Sequence, residues 1–168
     1  MNLSTVAGIL APETHIAKEA DILYLLTDSR ELHTDPSRTL FFALRTTKND
    51  GVHYIPELYQ KGVRAFVLNA TPENKLLAES FSDAAFLFVI DSLQALQDLA
   101  AYKRSLYHCP VIAITGSNGK TVVKEWLYQL LKDDYRITRS PKSFNSQIGV
   151  PLSVWQMTEK TELAIFEA

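Results

Sequence analysis

The stretch that decides the fold is "AITGSNGKTVVKEW", residues 113–126. Apolar residues 111–114 lead into two glycines, a lysine and a threonine, and a helical pattern follows. Glycines let backbone N–H groups turn towards phosphate oxygens, a lysine contacts the β- and γ-phosphates, and a hydroxyl binds Mg²⁺. The helix also points its positive end at the anion. The stretch therefore predicts a nucleotide-phosphate loop.

The match to the common pattern G-x-x-x-x-G-K-[ST] is incomplete, because Ile114 occupies the first glycine position. The alternative is a strand–turn–helix junction that contains Gly-Lys-Thr by chance. The strand before the loop and the helix after it favour the phosphate loop. Asn118 tolerates the left-handed conformation and suits the turn.

Elements around the loop predict the start of a parallel sheet. The predicted elements are a helix from Asp91-Ser92 to near His108, a strand at 111–115, a helix at 120–132, a short strand at Ile137, a helix from Pro151 to Met157 and a strand at 163–166. A parallel sheet needs helices on both faces, and no helical pattern follows the last strand. We therefore expect residues 91–168 to be the truncated beginning of a larger parallel-sheet domain.

Residues 1–90 alternate between strand and helix patterns, which predicts a separate small α/β domain. The predicted strands are 22–26, 40–44, 64–68 and 86–90, and the helices are 54–61, closed by Gly62, and one that Thr71-Pro72 begins.

Composition narrows the class of protein. Of 168 residues, 46% are hydrophobic and 21% charged, as in ordinary globular domains, and the net charge of -2 gives no reason to expect nucleic acid as a partner. Cys109 is the only cysteine, which excludes an internal disulfide. The longest apolar run, 84–90, is too short for a membrane span, so we expect a cytoplasmic protein. Trp126 and Trp155 are predicted to lie in the core.

Two further polar positions lie downstream of the loop. Glu167 ends a predicted parallel strand, where ligands bind in open α/β sheets, and it is a candidate second metal ligand. Asn145 lies in "SFNSQIGVP", where turn formation or helix capping is the ordinary role.

In the first half, "TDSR" (27–30) and "LRTTKNDG" (44–51) follow predicted strands. Their hydroxyl groups and the cations Arg30, Arg45 and Lys48 suit a second phosphorylated ligand. Ordinary solvated turns are the alternative.

The segment "TGSNGKT" (115–121) resembles the phosphate loop of the Mur ligases, ATP-dependent enzymes that build the peptide of bacterial cell-wall precursors. Their variant loop, T-G-[TS]-[NS]-G-K-[TS], accounts for Ile114. "FNSQIGVPLSV" (144–154) and "LAIFEA" (163–168) are similar to two other family segments, and "VVKEW" is most like the D-alanyl-D-alanine-adding members. "DSR" (28–30), "TLFFAL" (39–44) and 50–67 resemble the family's uridine-nucleotide-binding domain, although Thr46 stands where relatives often have glycine.

The resemblance implies site residues. ATP phosphates would contact the loop residues Gly116, Ser117, Asn118, Gly119, Lys120 and Thr121. Thr121 and Glu167 would bind Mg²⁺, and Lys120 and Asn145 would act in catalysis. The UDP site would be lined by Ser29, Arg30, Thr47, Lys48 and Asn49.

The resemblance also implies a function for the longer protein. It predicts a ligase that adds D-alanyl-D-alanine to UDP-N-acetylmuramoyl-tripeptide through an acyl phosphate, in the synthesis of peptidoglycan precursors for cell shape and division. Residues 1–90 would bind the UDP-muramyl-peptide and 91–168 would form part of the ATP domain. The isolated piece is expected to be inactive, and further domains such as an alanine racemase could follow. The alternatives are a ligase that adds the third residue of the peptide, and a non-catalytic module that binds a UDP-linked ligand.

Overall fold

The computed structural model describes residues 1–10, 13–46 and 49–168. The chain divides into two compact units, Met1–Ala95 and Leu96–Ala168. The division falls within the long helix α4, Ser92–Ser105, a few residues after the predicted boundary.

The first unit contains a five-stranded sheet in the order β1-β5-β4-β3-β2. Strands β2 to β5 are parallel, and β1 pairs antiparallel with β5 at one edge. In chain order the elements are α1 Leu3–Leu10, β1 Glu13–His15, β2 Tyr24–Leu26, β3 Thr39–Phe42, α2 Ile55–Gln60, β4 Ala65–Asn69, α3 Pro72–Ala78 and β5 Ala85–Val89. Three short 3-10 helices, Ser29–Glu31, Pro36–Arg38 and Gly51–Tyr54, lie in the connections.

Phenylalanines on neighbouring strands form the centre of this unit's core. Phe41 pairs in register with Phe66, and Phe66 pairs with Phe86. The Phe66 and Phe86 rings stack with centroids 5.3 Å apart, and all three side chains are fully buried. Burying a side chain of this size stabilises a fold by about 1.5–3 kcal/mol. The parallel strands are therefore held together by a continuous aromatic layer.

The second unit contains a parallel three-stranded sheet in the order β6-β8-β7. Its elements after α4 are β6 Val111–Ile114, α5 Lys120–Leu131, β7 Ile137–Arg139, α6 Gly149–Trp155 and β8 Leu163–Glu167. Every residue of the central strand β8 is buried. Ile114 pairs with Glu167 in register, so the phosphate loop and Glu167 emerge at the same edge of the sheet.

The α/β class with parallel sheets is confirmed, and so are several predicted helix ends. The Thr71 hydroxyl accepts a hydrogen bond from the Asn74 N–H at 3.2 Å, and Asp91 caps α4 through the Leu93 N–H at 2.8 Å. Gly62 has the positive φ of 100° that is typical of the residue closing a helix. Among the described residues, no helix has the length and apolar character to cross a membrane.

Helix α1 and strand β1 were not predicted. The first element predicted from the sequence was the strand at 22–26. The Asn2 side chain in fact accepts a hydrogen bond from the Thr5 N–H at 2.8 Å, and Leu3 and Val6 are buried. An asparagine before apolar residues three apart is a helix-start signal that the sequence did carry.

The prediction that both tryptophans lie in the core was half wrong. Trp155 is 7% exposed and buried as predicted, but Trp126 is 68% exposed. Trp126 lies on α5 in an exposed apolar row with Val122 and Leu130. Their spacing of four residues places them on one helix face, and α5 turns a different face towards the sheet.

Candidate functional site

The loop between β6 and α5 carries the predicted phosphate-binding residues at the carboxyl edge of the second sheet. Gly116 has φ 135° and Gly119 has φ 79°, conformations that side-chain-bearing residues rarely adopt. Both left-handed positions are therefore glycines. Asn118, which was expected to suit a left-handed turn position, does not have a positive φ.

The N-terminus of α5 faces this loop without a side-chain cap. Gly119 is the N-cap residue and makes no side-chain hydrogen bond, and the loop residues Gly116, Ser117 and Asn118 are exposed. The first N–H groups of a helix need an external acceptor, and an anion is a suitable one. Lys120 Nζ donates to the Gly116 carbonyl oxygen at 2.5 Å, so its ammonium lies over the loop.

Thr121 and Glu167 meet at the base of the loop. The Thr121 hydroxyl donates to Oε2 of Glu167 at 3.1 Å and lies 3.1 Å from the Ser143 hydroxyl. Glu167 is fully buried, and its backbone N–H donates to the Ser140 hydroxyl at 3.1 Å. The structure therefore brings together the two residues that were predicted to bind Mg²⁺.

These oxygens fit a small divalent cation. Mg²⁺ prefers oxygen ligands and is usually held by one or two carboxylates together with substrate phosphates and waters. Oε2 of Glu167 and the Thr121 hydroxyl, 3.1 Å apart, supply two such oxygens, and within the described ranges no group of three or more His, Cys, Asp or Glu side chains could hold a metal. A cation at this edge would thus be held by Thr121, Glu167 and phosphate oxygens together.

Sequence reasoning did not single out Lys124, which lies beside Glu167. Lys124 lies on α5 one turn after Lys120 and is fully buried. Its Nζ lies 2.8 Å from Oε1 of Glu167 and donates to the carbonyl oxygens of Ser140 at 2.9 Å and Lys142 at 2.5 Å. The available signal was its spacing, because residues 120 and 124 share one face of a helix.

Asn145 follows the turn that Lys124 holds. It is exposed, and its backbone N–H donates to the Ser143 carbonyl oxygen at 2.9 Å, which agrees with a role in the turn. Its side chain lines an open depression of about 490 Å³, whose other lining residues include Gln97, Arg104 and Ala168. Asn145 thus lies near the end of β8, but among the described residues it makes no hydrogen bond with Thr121 or Glu167.

Three of the predicted UDP residues, Ser29, Arg30 and Asn49, lie at the carboxyl edge of the first sheet. Ser29 is buried in the 3-10 helix after β2, and the Arg30 guanidinium is 86% exposed and lies 2.5 Å from Asp28. The Arg30 hydrogen bond holds the pKa of the Asp28 carboxyl below its usual range. Asn49, after β3, donates through Nδ2 to the Tyr54 hydroxyl at 2.8 Å. Thr47 and Lys48 lie outside the described residues.

A cavity of about 210 Å³ opens at this edge beside β3 and β4. It is lined by Ala43, Arg45, Asp50, Val52, Asn69, Thr71, Glu73 and Asn74. The Arg45 guanidinium is largely exposed and lies 3.9 Å from Asp50. The lining therefore includes two residues, Arg45 and Asp50, of the predicted loop 44–51, but not Ser29 or Arg30 of the other loop.

The sequence and fold match known proteins. The Mur ligase middle domain family matches residues 114–168. The UDP-N-acetylmuramoyl-tripeptide--D-alanyl-D-alanine ligase of Bacillus subtilis is 36% identical over 146 residues, covering 84% of this chain and 29% of that protein. The UDP-N-acetylmuramoyl-L-alanyl-D-glutamate--2,6-diaminopimelate ligase of Cytophaga hutchinsonii is 31% identical over 116 residues, or 68% of this chain.

Solved structures give the same result. A crystal structure of MurF from Acinetobacter baumannii aligns with a TM-score of 0.81 and 25% identity over 98% of this chain and 34% of that chain. The MurF ligase of Thermotoga maritima, solved in complex with ADP, aligns with a TM-score of 0.68 and 28% identity over 86% of this chain and 31% of that chain. The chain spans about a third of the length of the proteins it matches. It belongs to the Mur ligase family.

Proposed function

We propose that this chain is part of an ATP-dependent ligase that adds D-alanyl-D-alanine to UDP-N-acetylmuramoyl-tripeptide. The observation that carries the proposal is the convergence of the phosphate loop, Thr121 and Glu167 at one edge of the second sheet, with Thr121 and Glu167 3.1 Å apart. In this reading the second unit binds the ATP phosphates and the first unit binds the UDP part of the acceptor.

The loop residues would act on the phosphates by position and charge. The uncapped N–H groups at the start of α5 and the Lys120 ammonium lie where phosphate oxygens would bind. Phosphoryl transfer needs little covalent chemistry from the protein and depends mainly on orientation and charge neutralisation. Lys120 would neutralise charge on the transferred group, and Thr121 and Glu167 would hold Mg²⁺, which supplies further positive charge when it is bound.

The reaction implied for the longer protein has two steps. The γ-phosphoryl group of ATP moves to the carboxylate of the UDP-linked peptide, giving an acyl phosphate and ADP. The amine of D-alanyl-D-alanine then attacks the acyl carbon, an amide bond forms, and inorganic phosphate leaves. Asn145 would act beside the phosphates in the first step, and the dipeptide would be held by parts of the ligase outside this chain.

The acceptor site of the first unit is proposed at the loops after β2 and β3. Ser29, Arg30 and Asn49 lie at the carboxyl ends of neighbouring parallel strands, where ligands bind in open α/β sheets. Arg30 is largely exposed, so its guanidinium is available to a diphosphate once it exchanges the Asp28 carboxylate for the ligand. Thr47 and Lys48 belong to the same proposed site.

A ligase that adds the third residue of the peptide is the second candidate, because one such enzyme is among the relatives. The match to that relative covers 68% of this chain, whereas the match to the D-alanyl-D-alanine ligase of Bacillus subtilis covers 84%. The D-alanyl-D-alanine activity is therefore the better supported proposal.

Backbone NMR of the ¹⁵N-labelled chain tests the two sites separately. MgATP should shift the amide signals of residues 116–121, and UDP should shift those of 28–30 and 45–50. Lys120→Met should remove the MgATP shifts and leave the UDP shifts intact, because Lys120 lies in the second unit. Unshifted loop signals at millimolar MgATP would refute the ATP site, and unchanged first-unit signals with UDP would refute the acceptor site.

A further inference from the structure

Lys124 and Glu167 are the only charged side chains buried in the described part of the chain. Both side chains are 0% exposed. Burial of a charge is costly unless the charge is paired and hydrogen-bonded, so a fully buried ion pair in a small domain needs an explanation. Fold stability is a weak explanation, because well-packed apolar residues usually serve as well.

Oε1 of the neighbouring Glu125 lies 3.4 Å from the Lys124 ammonium. The ammonium has three donor positions, and three other oxygens lie closer to it. Two are the carbonyl oxygens of Ser140 and Lys142, and the third is Oε1 of Glu167. Oε1 is 2.8 Å away but receives no hydrogen bond of regular geometry, so the contact acts mainly through charge. The other carboxylate oxygen, Oε2, faces the Thr121 hydroxyl. Lys124 thus covers one oxygen of the carboxylate and leaves the second towards the phosphate loop.

The same ammonium also fixes the turn that follows β7. Lys142 has φ 53° and is the one non-glycine residue with positive φ in the described ranges. Such a conformation costs about 1–2 kcal/mol and persists only where the surroundings hold it. The Lys142 carbonyl oxygen accepts from Lys124, and the next residue, Ser143, lies beside Thr121. Lys124 therefore orients groups on two sides of Thr121.

We propose that Lys124 is a positioning residue that restricts Glu167 to metal ligation through Oε2 alone. This inference rests on the proposed ATP site. Mg²⁺ is small, keeps several waters and is held through few carboxylate oxygens, whereas Ca²⁺ takes six to eight ligands and often binds both oxygens of a carboxylate. Lys124 occupies the position from which Oε1 would join a larger cation. It thereby favours Mg²⁺ over Ca²⁺ at the phosphate loop.

Calorimetric titration with inorganic triphosphate, in the presence of Mg²⁺ or of Ca²⁺, measures this selectivity directly. The proteins are the unaltered chain, Lys124→Met and the control Lys132→Met, which removes an exposed lysine at the end of the same helix. We expect Lys124→Met to shift the ratio of the two affinities towards Ca²⁺ by about tenfold. We expect Lys132→Met to leave the ratio unchanged. An unchanged ratio in Lys124→Met, with triphosphate still bound, would overturn the inference alone.

Failure of the unaltered chain to bind triphosphate with either cation would instead overturn the proposed ATP site, and the inference with it. Circular dichroism establishes whether Lys124→Met folds. If Lys124→Met does not fold, NMR of the Lys124 ammonium in the unaltered chain tests the inference instead. Its signal should stay protected from solvent exchange, with its contact to Glu167 kept, when Mg²⁺ and triphosphate are added. Release of Lys124 from Glu167 on loading would show that Oε1 is freed for the metal, contrary to the inference.

Discussion

The ammonium of Lys124 lies 2.8 Å from a carboxylate oxygen of Glu167, and neither side chain has exposed surface. Breaking a buried pair by removing one partner costs about 3–5 kcal/mol, because the other charge stays buried and uncompensated. We expect Lys124→Met and Glu167→Gln each to lower the unfolding free energy of the second unit. The double variant should lose less than the sum of the two. These variants and the unaltered chain form a double-mutant cycle, and urea unfolding followed by the fluorescence of Trp155 measures the four unfolding free energies.

The exposed pair Arg136–Glu162 provides the matched control in the same unit. Its charged atoms are 2.7 Å apart, but the side chains are 66% and 43% exposed. Exposed pairs contribute about 0.2–1 kcal/mol, so the same cycle at this pair should give a much smaller coupling. Equal couplings at the two pairs would contradict the importance assigned to burial.

Gly51 and Gly8 should respond in opposite ways to replacement by alanine. A Cβ at Gly51 would lie 2.8 Å from the Ala43 Cα, so the backbone at Ala43 and Leu44 would have to shift. Overpacking of this kind costs about 1–3 kcal/mol. Gly8 lies inside α1 with open space around it, and alanine there should stabilise by about 0.5–1 kcal/mol. Thermal unfolding of both variants is the measurement, and a destabilised Gly8→Ala would count against α1.

The Asp83 carboxyl should titrate below its ordinary value of 3.8. The hydrogen bond from Tyr59 is the largest cause of the lowered pKa, followed by that from Arg64. A lowered folded-state pKa contributes stability that is present above the unfolded pKa and is lost as the pH falls through the folded pKa. Tyr59→Phe should therefore raise the pKa of Asp83 in an NMR titration of the carboxyl carbon. The loss of unfolding free energy in Tyr59→Phe, relative to the unaltered chain, should be larger at pH 7 than at pH 2.

Trp126 and Trp155 should report opposite environments. Each tryptophan can be observed alone by replacing the other with phenylalanine, since the chain has only two. Trp126, 68% exposed, should emit at longer wavelength and be quenched readily by iodide, and Trp155, 7% exposed, should resist quenching. Protection of Trp126 in the unligated chain would show that the exposed face of α5 is covered in solution.

The sequence predicted those features that depend on local chemistry. The glycine that closes α2, a threonine cap before Pro72 and alternating strands and helices are all visible in the order of residues. The convergence of Thr121 with Glu167 followed from the rule that parallel strands present their carboxyl ends at one edge. The resemblance to a family supplied the roles of these residues.

Features that depend on packing across the chain were not predicted. Lys124 reads as an ordinary helix lysine until β8 places Glu167 beside it, and the contact joins residues 43 positions apart by their numbers. Trp126 was assigned to the core because it is apolar, but which helix face meets the sheet is decided in three dimensions. The antiparallel pairing of β1 with β5 also has no local signal, since three exposed residues form the strand.

The pairing of β6 with β8 joins two segments that the ribosome synthesises at different times. Thr121 and Glu167 are 46 residues apart, so a ribosome adding about 5–20 residues per second completes the loop roughly 2–9 s before it adds the carboxylate. During that interval the nascent chain has no central strand between β6 and β7. Lys124 therefore lacks its partner Glu167 during that interval, and the sheet β6-β8-β7 can form only after β8 has been synthesised.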